Sequence, residues 1–397
     1  MATLVPPLVS PRSSGDVAVQ RPHRLLGALD DRRDAVRHLG PNWFSSVMGT
    51  GIVANAAALL PRHVPGLDTV AIGAWALAAA MLTCLTAATV AHWVRHPAEA
   101  RAHACNPAMA PFYGAPPMAL LTVGAGALLA GHHLIGMPAA IAVDVVLWTA
   151  GTLTGLAAAV AVPYLMVTRH ALGPDSAFGG WLMPIVPPMV SAATGAALIG
   201  HLPAGQARLD LLVACYALFG LSLLASVIVI ALLWSRLIHH GAGPAHLVPT
   251  LWIVLGPLGQ SITAANLLAD VAPSVVPAPY RDALQAFGVV YGVPVFGFAM
   301  LWLAIAAAIT VRTARRGLPF SLTWWSFTFP VGTTVTGISL LAVHTGSSAL
   351  AWIAIVLYAF LLGAWLVVAT KTLRGAASGR LLAAPGPRSP ASYRTTR

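Results

Sequence analysis

Long apolar segments separated by short polar loops occupy most of the chain between residues 41 and 370. A helix needs about 20 apolar residues to cross the hydrocarbon core of a bilayer. Ten segments meet this condition, at residues 41–60, 69–94, 111–132, 139–168, 181–201, 209–236, 247–270, 282–310, 323–344 and 347–370. The pattern predicts an all-α integral membrane protein with ten transmembrane helices over residues 41–370, and disordered tails over residues 1–40 and 371–397.

The odd-numbered segments share a composition that the even-numbered ones lack. Each opens with aromatic residues, which favour the membrane interface, and continues with Gly, Pro, Ser and Thr. Their starts lie 70, 70, 68 and 75 residues apart, at Pro41, Pro111, Trp181, Pro249 and Trp324. This interval predicts five quasi-repeated helical hairpins around a central pore lined by the odd-numbered helices. The alternative is that Gly and Pro only mark close packing between helices. This alternative explains the composition of any one segment, but it explains less well why all five segments share the same interval.

Charge and composition indicate a membrane protein with a defined orientation. Hydrophobic residues make up 58% of the chain and charged residues 8%, against about 25% charged residues in soluble domains. Of the 22 Lys and Arg residues, three fall on one predicted face, which leaves nineteen on the face that carries both tails. Because Lys and Arg concentrate in cytoplasmic loops, both termini are predicted to be cytoplasmic in a multi-pass protein of the cell membrane. Topology accounts for the net charge, so no nucleic-acid partner is expected.

The sequence offers no constellation typical of an enzyme or a metal protein. Cys84, Cys105 and Cys215 follow no metal or redox spacing. The predicted spans contain neither a nucleophile with its base nor a cluster of metal ligands. We therefore expect no catalysis, no metal and no cofactor.

The central parts of the odd-numbered segments contain hydroxyl and amide side chains but no ionisable residue. Hydroxyls and amides can donate hydrogen bonds to an anion, and broken helices can turn free N–H groups toward a cavity. The expected helix kinks lie at Pro116, Pro117, Pro187, Pro188, Pro257 and Pro330. The candidate anion pathway comprises Ser45, Ser46, Thr50, Ser191, Thr194, Gln260, Ser261, Thr333 and Thr334. The alternative is that each hydroxyl bonds to the preceding turn of its own helix.

Ionisable residues are found instead near the outer ends of the predicted spans. They are His132, His133, Asp144, His201, Asp270 and His344. As interface residues, they are expected to need no mechanistic role.

The stretch WWSFTFPVG, Trp324 to Gly332, places two Phe, a Pro and a Gly inside an apolar segment. Together with PNWFSSVMGTGIV, FYGAPPMALLTVG and LVPTLWIVLGPLGQS, it resembles the tellurite-resistance and dicarboxylate transporter family, whose relatives include slow-type anion channels, malate permease and sulfite efflux pumps. The resemblance implies five helical hairpins around a pore, a homotrimer with one pore per protomer, and a Phe on the ninth helix that blocks the pore. Phe329 matches this gate best and Phe327 less well. Pro330 and Gly332 would bend the helix and present the gate.

The resemblance also bears on the substrate. GPLGQS, Gly256 to Ser261, looks more like the sulfite exporters than the malate permease. The spans lack Arg residues that could clamp two carboxylates, which disfavours a dedicated dicarboxylate site. The expected function is a channel-like exporter of small oxyanions, with sulfite favoured. The alternative is a C4-dicarboxylate carrier for malate or succinate, or a tellurite-resistance-type transporter, either of which could be proton-coupled.

Overall fold

A computed structural model describes residues 26–29, 31–62 and 64–383. No β-strand occurs among these residues, which confirms the all-α prediction for the described chain. Most of the predicted N-terminal tail, and the C-terminal tail beyond residue 383, lie outside the described residues. Where the described tail residues begin, the Leu26 N–H donates to the Ala377 carbonyl at 2.7 Å and the Ala28 N–H donates to the Ser378 carbonyl at 3.0 Å. The two tails therefore meet on one face of the protein.

The described chain forms helices of two kinds, short ones rich in Gly and Pro and long aliphatic ones. In chain order the α-helices are α1 Phe44–Ala58, α2 Leu67–Arg95, α3 Pro97–Cys105, α4 Ala115–Gly126, α5 His132–Ile135, α6 Met137–Thr168, α7 Pro187–Ile199, α8 Gln206–His240, α9 Leu255–Val271, α10 Tyr280–Ala314, α11 Phe329–Thr345 and α12 Ser348–Ala377.

Eight helical segments of the described chain are long and apolar enough to cross a membrane. They are Leu67–Arg95, Ala110–Ile135, Met137–Thr168, Gln206–His240, Ala245–Ser274, Tyr280–Ala314, Leu322–Thr345 and Ser348–Ala377. The predicted first and fifth spans contain α1 and α7, which have only 15 and 13 residues. By length and composition, the described residues thus give eight candidate spans against the ten predicted.

The five helices α1, α4, α7, α9 and α11 form a closed ring. Each contacts the next in this order, and α11 returns to contact α1. Each is followed by a long helix that packs against it: α2 on α1, α6 on α4, α8 on α7, α10 on α9 and α12 on α11. Every residue of α1 from Phe44 to Ala57 and of α11 from Phe329 to Ala342 is buried. The long helices expose large apolar side chains such as Val160 and Val290, as expected for surfaces that face lipid.

A 3-10 turn precedes each of the five ring helices. These turns are Pro41–Trp43, Ala110–Gly114, Gly179–Leu182, Ala245–Val254 and Leu322–Phe327, and neighbouring turns contact each other around the ring. The predicted kink prolines lie just after the turns, within the first three residues of α4, α7, α9 and α11. A first-turn N–H has no partner inside the helix, so Pro costs little there. The interruption therefore lies where a 3-10 turn meets an α-helix, and not within the α-helix itself.

Gly332 has a packing role in this arrangement. A Cβ at this position would lie 2.8 Å from Ile52 Cγ2, closer than side chains can approach. The absence of a side chain at Gly332 lets α11 approach α1, which closes the ring.

Candidate functional site

The starts of all five ring helices surround one cavity. Its water-accessible volume is about 20 Å³, room for about one water molecule. Each ring helix or its preceding turn contributes to the lining: Ser45 from α1, Met118 from α4, Val186 before α7, Gly256 from α9, and Phe329 and Pro330 from α11. The cavity therefore lies on the axis of the ring, at the level where the 3-10 turns become α-helices.

The two Phe residues of the WWSFTFPVG stretch have different surroundings. Phe329 is the first residue of α11, is 2% exposed and borders the cavity. The Phe327 ring packs edge-to-face against Trp252, with centroids 5.2 Å apart, and against Trp324 at 5.8 Å. Phe327 does not belong to the cavity lining. The geometry therefore separates the two candidate gates, with Phe329 on the cavity wall and Phe327 in an aromatic cluster.

The cavity is mainly apolar, with two hydroxyl groups. Ser45 and Ser326 line it, and neither hydroxyl hydrogen-bonds to another group in the described part of the protein. The remaining lining side chains come from Met, Phe, Val, Ile, Leu, Trp and Pro, with Gly256 contributing backbone. An anion in this space would meet two free hydroxyl donors and no carboxylate.

Most of the predicted pathway hydroxyls bond to their own helices. Six of them donate to a backbone carbonyl three or four residues earlier, over 2.7–2.9 Å: Ser46, Thr50, Thr194, Ser261, Thr333 and Thr334. This is the alternative that the sequence left open, in which Ser and Thr satisfy themselves locally. A hydroxyl that donates in this way keeps only its acceptor capacity for other partners.

Two of the predicted residues also join the ring to the long helices. Ser191 on α7 accepts a hydrogen bond from the Thr152 hydroxyl on α6 at 2.9 Å. Thr50 on α1 accepts one from Trp365 Nε1 on α12 at 3.1 Å. These side chains face outward from the ring axis. Gln260 differs, because it is 5% exposed and its amide makes no hydrogen bond within the described part of the chain.

Comparison with known proteins identifies the family. Residues 38–373 match the voltage-dependent anion channel family. The chain belongs to this family. An uncharacterized transporter of Methanocaldococcus jannaschii is 25% identical over 90% of this chain and 99% of its own length. A sulfite efflux pump of Trichophyton rubrum is 27% identical over 75% of this chain and 80% of its own length. A putative malic acid transport protein of Schizosaccharomyces pombe is 23% identical over 79% of this chain and 75% of its own length.

Membership of the voltage-dependent anion channel family confirms the resemblance drawn from four sequence segments. It places the chain among membrane proteins of anion transport. The family and these relatives are channels and transporters, in agreement with the apolar spans.

Sequence reasoning missed Ser326 as a residue of the site. It lies in the 3-10 turn one residue before Phe327, inside the quoted stretch. Its place in the cavity lining depends on the rotation of a 3-10 turn, which side-chain spacing in the sequence does not specify. The only available signal was its position next to the candidate gate.

Proposed function

We propose that this protein conducts small anions along the axis of the ring formed by α1, α4, α7, α9 and α11. In this proposal each ring helix and the long helix that follows it form one hairpin, giving ten spans in five hairpins with both termini cytoplasmic. With their preceding turns and linkers, α1 and α7 reach about 30 Å at 1.5 Å per α-helical and 2.0 Å per 3-10 residue. This length is comparable with the hydrocarbon core. The meeting of both tails on one face also supports an even number of spans.

The observation that carries the proposal is the convergence of five helix starts on one cavity bordered by Phe329. The N-terminal end of an α-helix carries a partial positive charge from the aligned peptide dipoles. Five such ends lie around this space and favour an anion there, with the first N–H groups of α1 and α9 already bonded to carbonyls of the preceding turns. The lining contains no ionisable side chain, so no carboxylate opposes this field and no fixed cation would hold the anion too tightly to leave.

Phe329 is proposed as the gate of this pathway. An apolar constriction holds back hydrated ions by excluding water, and Phe329 is the aromatic side chain that begins α11 on the cavity wall. The six-residue turn before Phe329 is about 12 Å long. Phe329 therefore lies roughly one third of the way through the span. Movement of the Phe329 side chain would open the cavity toward the remaining length of the axis of the five-helix ring.

A small oxyanion, with sulfite favoured, is the proposed substrate class. Two free hydroxyls and the unpartnered Gln260 amide can donate to oxyanion oxygens, and Gly256 of the GPLGQS motif lines the cavity. The ring helices carry no Arg pair to fork onto two carboxylates. Malate remains the second candidate, because one relative is a putative malic acid transport protein. We also propose that the protein assembles as the homotrimer that the resemblance implies.

The test is anion flux into liposomes that contain the purified full-length protein. Sulfite, chloride, nitrate and malate are compared under an imposed voltage without a pH gradient, for the wild type and Phe329→Ala. We expect flux that follows the voltage, is greater for sulfite than for malate, and rises in the variant. Flux that requires a pH gradient, or that occurs only with malate, would replace this proposal with a coupled dicarboxylate carrier.

A further inference from the structure

One basic side chain of the described chain is buried. Arg236, near the C-terminal end of α8, is 5% exposed. Every other Lys or Arg whose side chain is described is exposed or partly exposed. A guanidinium stays charged in proteins and presents five N–H donors. Because a buried charge is costly unless it is paired and hydrogen-bonded, Arg236 requires a partner.

The described part of the chain supplies no direct partner for this guanidinium. Arg236 makes no hydrogen bond and no ion pair with any described residue. Asp175, exposed in the loop after α6, acts on Arg236 through space but lies beyond ion-pair distance. By contrast, Arg208 near the start of α8 donates to the Leu202 carbonyl at 2.9 Å and to the Gly200 carbonyl at 3.2 Å. The five donors of Arg236 are therefore free to bind a ligand.

The loop that follows α8 leaves room for the guanidinium just below the protein surface. Gly243 in this loop has a φ of +72°, and a Cβ there would overlap Arg236 Nη2. Gly243 itself is exposed. An open cleft with a water-accessible volume of about 570 Å³ begins at the next residue, Pro244, and is closed on its other side by residues 317–319. Solutes can therefore reach the loop that covers Arg236.

Arg236 lies beside the five-helix ring and not on its axis. The helix that carries it, α8, contacts the turn Gly179–Leu182, and this turn contacts the turn Ala245–Val254. These two turns lead into the ring helices α7 and α9. Arg236 does not belong to the lining of the ring cavity. A ligand bound to it would thus be separate from an anion in that cavity.

We propose that Arg236 is the centre of a binding site for a phosphate group, on the face of the protein that carries the five turns. The planar fork of a guanidinium matches two oxygens of one phosphate, whereas chloride offers no pair of oxygens. A phosphate group carries up to two negative charges at neutral pH, enough to neutralise Arg236 in spite of Asp175. Inorganic phosphate and a lipid headgroup share this chemistry. The proposal does not depend on anion conduction.

The first test is thermal unfolding of the purified full-length protein in a phosphate-free, non-ionic detergent. The probes are inorganic phosphate and short-chain phosphatidic acid, each compared with chloride at equal ionic strength. At a tenfold excess of probe over its Kd, wild type should gain about 2 °C. Arg236→Met replaces the charge by an apolar side chain of similar length and should show no gain. Arg95→Met, which changes an exposed Arg at the end of α2, should respond as wild type.

The two probes distinguish the source of the phosphate group. A gain with inorganic phosphate supports the site with a free anion as its ligand, and a gain with phosphatidic acid alone supports it with a lipid headgroup as its ligand. No gain with either probe in wild type, or an equal gain in Arg236→Met, would overturn the proposal.

The second test keeps Arg236 and removes the nearby carboxylate. Asp175→Asn takes away one negative charge near the guanidinium, so the Kd for the probe that binds should fall about threefold. If Asp175 were itself the partner of Arg236, the variant would unfold at a lower temperature without any probe and would bind the probe no more tightly. That combination would overturn the proposal, even if Arg236→Met fails to fold.

Discussion

The close packing of α9 against α11 yields the sharpest stability prediction. A Cβ added at Gly259 on α9 would lie 2.5 Å from the carbonyl carbon and 2.6 Å from the carbonyl oxygen of Thr333 on α11. One turn away, a Cβ at Gly337 would lie 2.7 Å from the Gly259 oxygen. Both obstacles are backbone atoms that cannot rotate away. Gly259→Ala therefore forces α9 and α11 apart by about 1 Å, a packing change that costs about 1–3 kcal/mol.

Replacing a helical Gly by Ala also returns about 0.5–1 kcal/mol through the lower entropy of the unfolded chain. The expected net loss for Gly259→Ala is thus about 1–2 kcal/mol. Gly363→Ala on α12 is the matched control, because nothing lies within 4 Å of its Cβ position. This control should gain about 0.5–1 kcal/mol. Thermal unfolding of both variants in detergent measures the difference. Equal stability of the two variants, or a gain in Gly259→Ala, would refute the packing argument.

Two further predictions concern ionisable side chains away from the ring axis. Burial lowers the pKa of His103 on α3, and His92 and His38 nearby act in the same direction. The unfolded chain then binds the proton first, so stability should fall as the pH drops below about 6.5. His103→Gln should make this fall shallower in thermal unfolding between about pH 7 and pH 5, and an unchanged slope would contradict it. Both carboxyl oxygens of the fully buried Asp144 lack a partner among the described residues. Asp144→Ala should therefore raise the free energy of unfolding by about 1 kcal/mol, and a comparable loss would point to an unrecognised partner.

The membrane character and the family were predictable from the sequence, because both depend on properties of consecutive residues. Twenty apolar residues in a row determine a span whatever its neighbours are. The segments PNWFSSVMGTGIV and WWSFTFPVG were sufficient to indicate the family that the match over residues 38–373 then identified. The span count was less secure, because α1 and α7 are short helices extended by 3-10 turns, and apolarity does not distinguish a 3-10 turn from an α-helix.

The facing direction of individual side chains could not be predicted. Ser45 and Ser46 are consecutive, yet Ser45 borders the cavity and Ser46 donates to the Trp43 carbonyl. A rotation of about 100° per residue separates these two environments, and the sequence does not fix where the ring axis lies relative to that rotation. Ser191 was assigned to the anion pathway because it carries a hydroxyl. That hydroxyl accepts a hydrogen bond from Thr152 on α6.

Pairing across distant segments was also beyond the sequence. Asp270 and His344 were interpreted as separate interface residues without a role. They are 74 residues apart in the chain and 2.8 Å apart in the structure. This contact depends on the packing of α9 against α11, which no local pattern encodes.

The central claim is that anions pass along the ring axis at Phe329. The most direct measurement compares voltage-driven sulfite and nitrate flux in liposomes that contain equal amounts of wild type, Phe329→Ala or Phe327→Ala. The two variants remove the same side chain two residues apart, one from the cavity wall and one from the aromatic cluster with Trp252. The account predicts a rise on the order of tenfold in Phe329→Ala alone, equivalent to about 1.4 kcal/mol of barrier. An equal rise in both variants, or no rise in Phe329→Ala, would contradict it.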